Sequence, residues 1–369
     1  MGADVNEHVA EAETPQTGLG LDPRTIGRFE QLPKWLNLIP MVIQWLWLGL
    51  RYRSVTLPSA ANPRITAGGM VGEGKLEYFN IMGPLARAAT AQHVGVRIDA
   101  STTVEHVISA MHVAGLQFPI VVKPDLGWCG YGVRKISDQG ALADYLRLYP
   151  RGQTLVLQRY LSEDGEAGLF YVRHRDEAVG TLIGILLRHY PSVVGNGSDT
   201  VSQLVDKDIR LKRTTGNALH QCNYDPGYVP HLGEKVRLST IASTRVGGLY
   251  EDATAAVTRV LTERVDAIAS DMQEFHVGRF DVRYTTLESL RQGHFTIMEV
   301  NGAGSEAVHA WDPKYSIAQV YGIVFAKQRL LFRVADANRR AGHPPIGMRA
   351  LAKLHLEQQR LMGLYPPSN

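Results

Sequence analysis

Apolar and polar positions follow two different periods along this chain, and the switches between them mark its elements. Ile120-Val121-Val122 is a short β-branched run ending on Lys123 and Pro124, which predicts a buried strand with a lysine at its exit. Before it, residues 76–93 carry Ile81, Leu85 and Ala89 at helical spacing, and residues 102–114 read as an amphipathic helix. After it, residues 138–149 predict another helix and residues 155–158 a strand. Residues 169–172 and 179–188 predict paired strands joined by a charged turn. Residues 252–275 are expected to form the longest helix. Strands at 279–284 and 295–300 then flank a turn region, and helices at 317–335 and 349–361 close the chain as packing surface. Mixed local periods with strands that alternate their faces give an α+β fold class.

The N-terminal part departs from this regularity. Residues 1–20 contain few large apolar side chains and are expected to be disordered. Residues 35–50 are dense in Trp, Leu, Ile and Met, with Lys34 before them and Arg51 and Arg53 after. Asn37, Pro40 and Gln44 interrupt the run, which is also short for a membrane span. A helix buried against the body or a partner subunit is the first expectation. Docking at a membrane surface, with tryptophans at the headgroups and arginines on phosphates, is the alternative. Pro58 and Pro63 then mark an ordered loop, followed by Gly68, Gly69, Gly72 and Gly74.

Composition narrows the function classes. The chain has 369 residues, 44% hydrophobic and 20% charged, which suits a folded protein with two or three subdomains. A net charge of +3, with no basic run, argues against nucleic acid as a partner. Cys129 and Cys222 lie in no zinc spacing and make no disulfide framework. The opening residues lack the basic-then-apolar order of a secretion signal, so a cytoplasmic, reducing setting is expected.

Two stretches carry chemistry. Lys123 is followed by a loop with Gly127, Gly130 and Gly132, spaced so that backbone amides can turn toward a phosphate beside a fixed ammonium. A tight strand connection with a surface lysine is the plainer alternative. The second stretch pairs Arg279-Phe280-Asp281-Val282-Arg283 with Ile297-Met298-Glu299-Val300-Asn301. If these form a hairpin, Asp281 meets Glu299 and Asn301 on one face, an oxygen-only set suited to Mg²⁺ (or Mn²⁺) bridging nucleotide phosphates. An exposed polar face on a hairpin is the alternative. No Ser/His/Asp or Cys/His arrangement suggests a protein nucleophile.

The order of these motifs resembles the ATP-grasp superfamily, closest in style to D-alanine–D-alanine ligase and cyanophycin-synthetase-like carboxylate–amine ligases. The set runs from Lys75 through Val121-Val122-Lys123-Pro124, the glycine loop and Gln158-Arg159-Tyr160-Leu161. It continues through Gly195-Asn196-Gly197 to Gly278-Arg279-Phe280-Asp281-Val282 and Met298-Glu299-Val300-Asn301. The resemblance implies two α+β lobes clamping ATP, over residues 75–330 with a hinge near 158–161. Residues 21–74 form an atypical N-terminal region, and 331–369 a helical extension. It further implies that Lys75 and Lys123 hold phosphates, that the loop with Gly127, Gly130 and Gly132 closes over them, and that Gln158, Arg159 and Leu161 line the adenine pocket. Glu166, with Glu163 as rival, would meet the ribose. Asp281, Glu299 and Asn301 would ligate Mg²⁺, and Arg279 would steady an oxyanion.

The implied activity is a carbon–nitrogen ligase that joins a carboxylate to an amine through an acylphosphate. An ATP-grasp kinase, or a nucleotide-binding regulatory protein docked to a membrane or partner, is the alternative. A homo-oligomer is expected, with membrane-surface contact through 35–50 as a further expectation. Arg188 and Arg210 flank a glycine-rich segment at 194–199 and are substrate or phosphate candidates. His189 and His309 are pocket candidates, with buried, satisfied histidines as the alternative. The acceptor turn differs from the familiar ligases: Gly302-Ala303-Gly304-Ser305-Glu306 stands after Asn301, so D-alanine is not implied.

Overall fold

The computed structural model describes residues 25–128, 130–212 and 224–368. Residues 1–20, Cys129 and Cys222, on which expectations were placed above, lie outside the described residues.

Two antiparallel sheets organise the described chain. The smaller contains β1 (His93–Ile98), β2 (Ile120–Pro124), β3 (Arg134–Ile136) and β4 (Gln153–Arg159), in the order β1-β4-β2-β3. Alternation along β2 and β4 sends Ile120, Val122, Leu155 and Leu157 to one face. There they pack on Val107 and Met111 of the Val104–Val113 helix and on Leu142 and Tyr145 of the Gln139–Leu148 helix. The opposite face carries Lys123 and Gln158 toward the second sheet.

That second sheet is built from β5 (Gly165–Val172) and β6 (Thr181–His189), then, past a small β7–β8 pair (Ser192–Val194, Lys235–Arg237), β9 (Leu249–Asp252), β10 (Val277–Tyr284) and β11 (Thr296–Asn301). Its order is β11-β10-β5-β6-β9. Leu169, Tyr171, Phe280 and Val282 face Leu261, Val265 and Ile268 of the Arg259–Ser270 helix in the main core. The pleat therefore turns Glu166, Phe170, Arg279, Asp281 and Arg283 to the other side. Residues 160–164 join β4 of one sheet to β5 of the other; of the hinge expected near 158–161, Gln158 and Arg159 belong to β4 itself.

Three expectations about elements change. Residues 76–93 are not one helix: Lys75–Asn80 and Pro84–Ala88 are separate turns, split where Pro84 starts the second and Gly83 donates to Asp271 O (2.8 Å). Residues 252–275 hold a shorter helix, because Asp252 still pairs with Leu186 in the sheet and the Thr258 hydroxyl caps Leu261 N (3.1 Å). The longest helix is Ile317–Arg340, 24 residues, which runs unbroken through the boundary expected at 330–331.

The N-terminal region is fastened to the larger sheet and to this long helix. Asn62, fully buried, accepts from the amides of His276 and Val277 (2.8 and 3.1 Å) and donates to the carbonyls of Gly68 and Val277 (both 2.9 Å). Asn338 donates to the carbonyls of Ala60 and Ala61. The Lys34–Arg51 helix packs edge-on to Phe332 through Trp45, with ring centroids 5.1 Å apart. Burial of this helix is one-sided, however: Trp35, Ile43, Trp47 and Leu50 are more than half exposed.

Candidate functional site

The site lies where the lysine-bearing face of the smaller sheet meets the charged face of the larger one. Lys123 is buried and donates across the gap, to Gln158 Oε1 at 2.7 Å in its own sheet and to Met298 O at 2.9 Å on β11. Burial, helped by the nearby Lys75 charge, pulls its ammonium down to about 8, although Glu299 and Asp281 work the other way. Lys75 opens the Lys75–Asn80 helix, whose start is held by Asp125 through Leu76 N (2.8 Å) and Lys75 N (3.1 Å). Its ammonium stands 3.4 Å from Glu299 Oε1.

The glycine loop follows β2. Gly130 and Gly132 take positive φ (75° and 72°), which side chains disfavour, so their identity follows from the turn itself. The loop is tied from outside: Tyr145 donates to Gly132 O, Tyr365 to Leu126 O and Ser368 to Gly130 O. Trp128 and Tyr131 stand exposed on it. A side chain at Gly127 would fall 3.4 Å from Lys75 Nζ, so the loop lies directly over that lysine.

On the larger sheet the hairpin forms as the alternation predicts, with Asp281 opposite Glu299 and Arg279 opposite Asn301. Asp281 is enclosed. Arg279 binds it bidentately (Nε 2.6 Å, Nη2 2.9 Å), Arg188 Nη2 lies 3.3 Å from both oxygens, and Asn301 Nδ2 donates at 3.0 Å. Burial acts to raise the Asp281 carboxyl, but the guanidiniums of Arg188 and Arg279 prevail and hold it below the usual range. A carboxylate has about four lone-pair directions, so these donors leave Asp281 little capacity for a metal. Glu299 faces Lys75 beside this cluster. Among the described residues no three His, Cys, Asp or Glu side chains gather as a metal site on their own.

Glu166 has a different setting from the ribose position expected of it. It lies within β5, opposite Arg188 on β6 and Arg283 on β10. Arg188 donates to it at 2.9 Å, Arg283 stands 3.5 Å away and the Tyr190 hydroxyl also donates to it. Burial works to raise its carboxyl, but Arg283 and Arg188 hold it low. Its rival Glu163 sits on the connecting loop, its carbonyl accepting from Arg283. Gln158 is buried and spent on positioning Lys123, whereas Arg159 is exposed and Leu161 is buried on the connection between the sheets.

Of the other candidates, Arg188 belongs to the cluster, and its buried Nε has no acceptor. Arg210 does not join it. Arg210 binds Glu30, Thr25 O and Gly248 O, fastening the N-terminal region. The 194–199 segment folds on Asn196, whose Oδ1 accepts from Ser198 N and Asp199 N. His189 is satisfied by Glu251 at 2.6 Å. His309 is buried beside Phe170 with its Nδ1 unpartnered, and burial lowers it to about 4.

Two site residues escaped sequence reasoning. Lys327, on the long C-terminal helix, and Arg279 stand over the same Phe170 ring, 5.8 and 5.7 Å from its centroid. Glu73 precedes Lys75, and burial raises its carboxyl to about 7, with one oxygen unpartnered. Helix spacing gave Lys327 no special mark, and the Glu73 signal was only its nearness to Lys75.

No protein-family model matches the sequence, and no curated protein matches it either. Solved structures do resemble the chain. A bifunctional glutathione synthetase from Pasteurella multocida is 17% identical with a TM-score of 0.37, over 72% of this chain and 38% of that one. A D-alanine–D-alanine ligase from Bacillus anthracis is 15% identical with a TM-score of 0.38, over 73% of this chain and 67% of that one. A carboxyaminoimidazole ribonucleotide synthase from Aspergillus clavatus, complexed with ATP, is 10% identical with a TM-score of 0.34, over 64% of this chain and 45% of that one.

Proposed function

We propose that the chain binds ATP between its two sheets and uses it to join a carboxylate to an amine, as an ATP-grasp ligase. The observation that carries this reading is Lys123, a buried lysine that leaves one sheet and donates to the other beside Glu299, with Lys75 and the glycine loop over the same spot. Buried cations held this way suit a polyphosphate, whose charge repays their desolvation.

In this reading Lys75 and Lys123 draw the phosphates of ATP into line, and the tied loop with Gly127, Gly130 and Gly132 closes over them. Backbone groups of Arg159 and Leu161 at the hinge meet the adenine, since the Gln158 side chain is taken. The substrate carboxylate attacks the γ-phosphorus, ADP departs, and an acylphosphate forms. The amine then attacks the acyl carbon, a proton leaves the nitrogen, and phosphate departs. Arg279 engages Asp281 through Nε and Nη2, which leaves Nη1 for the oxyanion that develops. That feature favours a ligase over a kinase, which makes no tetrahedral intermediate at carbon.

A divalent cation fits this donor set in part. Mg²⁺ would be held by Glu299 and Asn301, with phosphate oxygens completing its shell; Asp281 would reach it only by giving up its arginines. Such an ion supplies neutralisation of phosphate charge. Glu166, in the same terms, is an anchor for Arg188 and Arg283 and not a ribose ligand.

Turnover of ATP with a panel of carboxylates and amines tests the reading, with ADP, phosphate and product mass measured together. Condensed product with both ADP and phosphate, lost in Lys123→Met and Glu299→Gln, is the expected result. ADP with a stable phosphorylated product would replace the ligase by a kinase. Asp281→Asn is a poorer control, because it also unpairs two arginines.

A further inference from the structure

The Lys34–Arg51 helix is turned the opposite way from an ordinary surface helix. From Trp35 to Leu50, every residue that is exposed is Trp, Leu, Ile or Val: positions 35, 36, 38, 39, 42, 43, 46, 47 and 50. At about 100° per residue these positions sweep about half of the helix circumference without a polar interruption. The polar side chains point inward instead. Asn37 is buried and donates to Phe29 O (3.0 Å), and Gln44 donates to Phe325 O (2.9 Å) on the long C-terminal helix. The helix thus spends its amides on holding its own body and leaves an apolar band about 24 Å long (Trp35 to Leu50 at about 1.5 Å per residue) facing outward.

The charges around this band choose its occupant. From Gln31 to Pro63 the sequence contains Lys34, Arg51 and Arg53 but no Asp or Glu. Arg51 and Arg53 are exposed at the C-terminal end, and the Arg51 guanidinium lies 5.6 Å from the centre of the Trp47 ring, at the edge of the apolar face. Arg28 is exposed near the other end. A second copy of the chain laid on this band would bring cations against cations in either orientation. Among the described residues no helix is long and apolar enough to cross a membrane. An apolar stripe with tryptophans toward its two ends and a cationic border is complementary to an anionic lipid surface.

We propose that the Lys34–Arg51 helix docks the protein on the surface of an anionic bilayer. It lies in the interface plane with Trp35, Ile39, Ile43 and Trp47 among the acyl chains and Arg51 and Arg53 on lipid phosphates. Trp45 takes no part: it is turned inward, packs on Phe332 and donates to Val55 O.

Co-sedimentation of the full chain with vesicles made of equal parts phosphatidylcholine and phosphatidylglycerol, and with phosphatidylcholine alone, tests this. The parent is expected to pellet with the anionic vesicles, less so at high salt and weakly with the neutral ones. Ile39→Ser combined with Ile43→Ser and Trp47→Ser should reduce partitioning by more than about tenfold. The melting temperature should hold, since these side chains are exposed. Arg51→Gln should weaken binding to the anionic vesicles about fivefold and leave the neutral ones alone. A parent that stays in the supernatant with both vesicles overturns the proposal. So does a parent that is dimeric in sedimentation equilibrium, becomes monomeric in the triple variant and never binds lipid. None of these readouts depends on ATP turnover.

Discussion

Replacing Lys327 by methionine is expected to stabilise the protein, by an amount that shrinks as the pH rises. The ammonium has one long contact, to Ser305 Oγ at 3.5 Å, and shares the Phe170 ring with the Arg279 guanidinium. Burial is the main cause that lowers it from 10.5 to about 7; Arg279 adds to this and Glu306 opposes it. An unfolded chain would hold that proton up to about 10.4. The folded-state value is depressed, so the penalty is complete below pH 7 and fades as pH rises through the window from 7 to 10.5. A shift of this size corresponds to about 4 kcal/mol at pH 6 and about 2 kcal/mol at pH 9, with residual exposure of the side chain trimming both. Methionine keeps the length and loses the charge at the cost of one weak hydrogen bond. Urea unfolding of both proteins at pH 6 and pH 9 reads the difference. Lys327→Met should be the more stable at pH 6, with an advantage about 2 kcal/mol smaller at pH 9. An advantage that does not change with pH, or a variant less stable at both, would refute the assignment of a strained ammonium beside Arg279.

Asn62→Ala should cost about 2–4 kcal/mol in denaturant unfolding, because it strands buried amides and carbonyls on the strap between the N-terminal region and β10. Lys123→Met should weaken binding of a non-hydrolysable ATP analogue at least about tenfold in calorimetry. In the parent, that binding should take up protons at and above pH 8 and not below pH 7, since phosphate raises an ammonium that starts at about 8; buffer-independent heats at pH 8 would contradict this. Gly69→Ala should lower the melting temperature, because φ is +79° and the new Cβ would fall 2.3 Å from Tyr78 Oη and 2.6 Å from Gly302 Cα; an unchanged melt would mean that this close approach is not required.

Legibility in the sequence followed the range of the interactions. The 277–284 and 296–301 pair was readable because alternation sets each strand's faces locally and the two strands follow one another in the chain, even though a helix at Leu287–Arg291 joins them. The same holds for Lys123, whose strand and glycine loop are contiguous. The partners of Glu166 were not readable, since they depend on β5 being flanked by β6 and β10, a non-local arrangement. Part of the enclosure of Asp281 is non-local in the same way, since Arg188 comes from β6, while its closest donor, Arg279, sits two residues away on the same face of β10. The helix at 252–275 is shorter than expected because its start depends on a sheet pairing of Asp252 with Leu186, which is non-local, before the Thr258 cap takes over. For residues 35–50, composition marked an apolar helix. It gave no information on which face has neighbours, and the polar Asn37 and Gln44 proved to be the inward ones.

Lys123 belongs covalently to one sheet and by hydrogen bond to the backbone of the other. Closing the two sheets and gathering positive charge for a ligand are therefore a single event, linked in both directions. Any change that lets the sheets drift apart, even at a remote surface, should loosen the grip on an anion by the same free energy by which that anion resists the drift. Hydrogen exchange at the residues 160–164 connection would then report occupancy of the cleft without touching it.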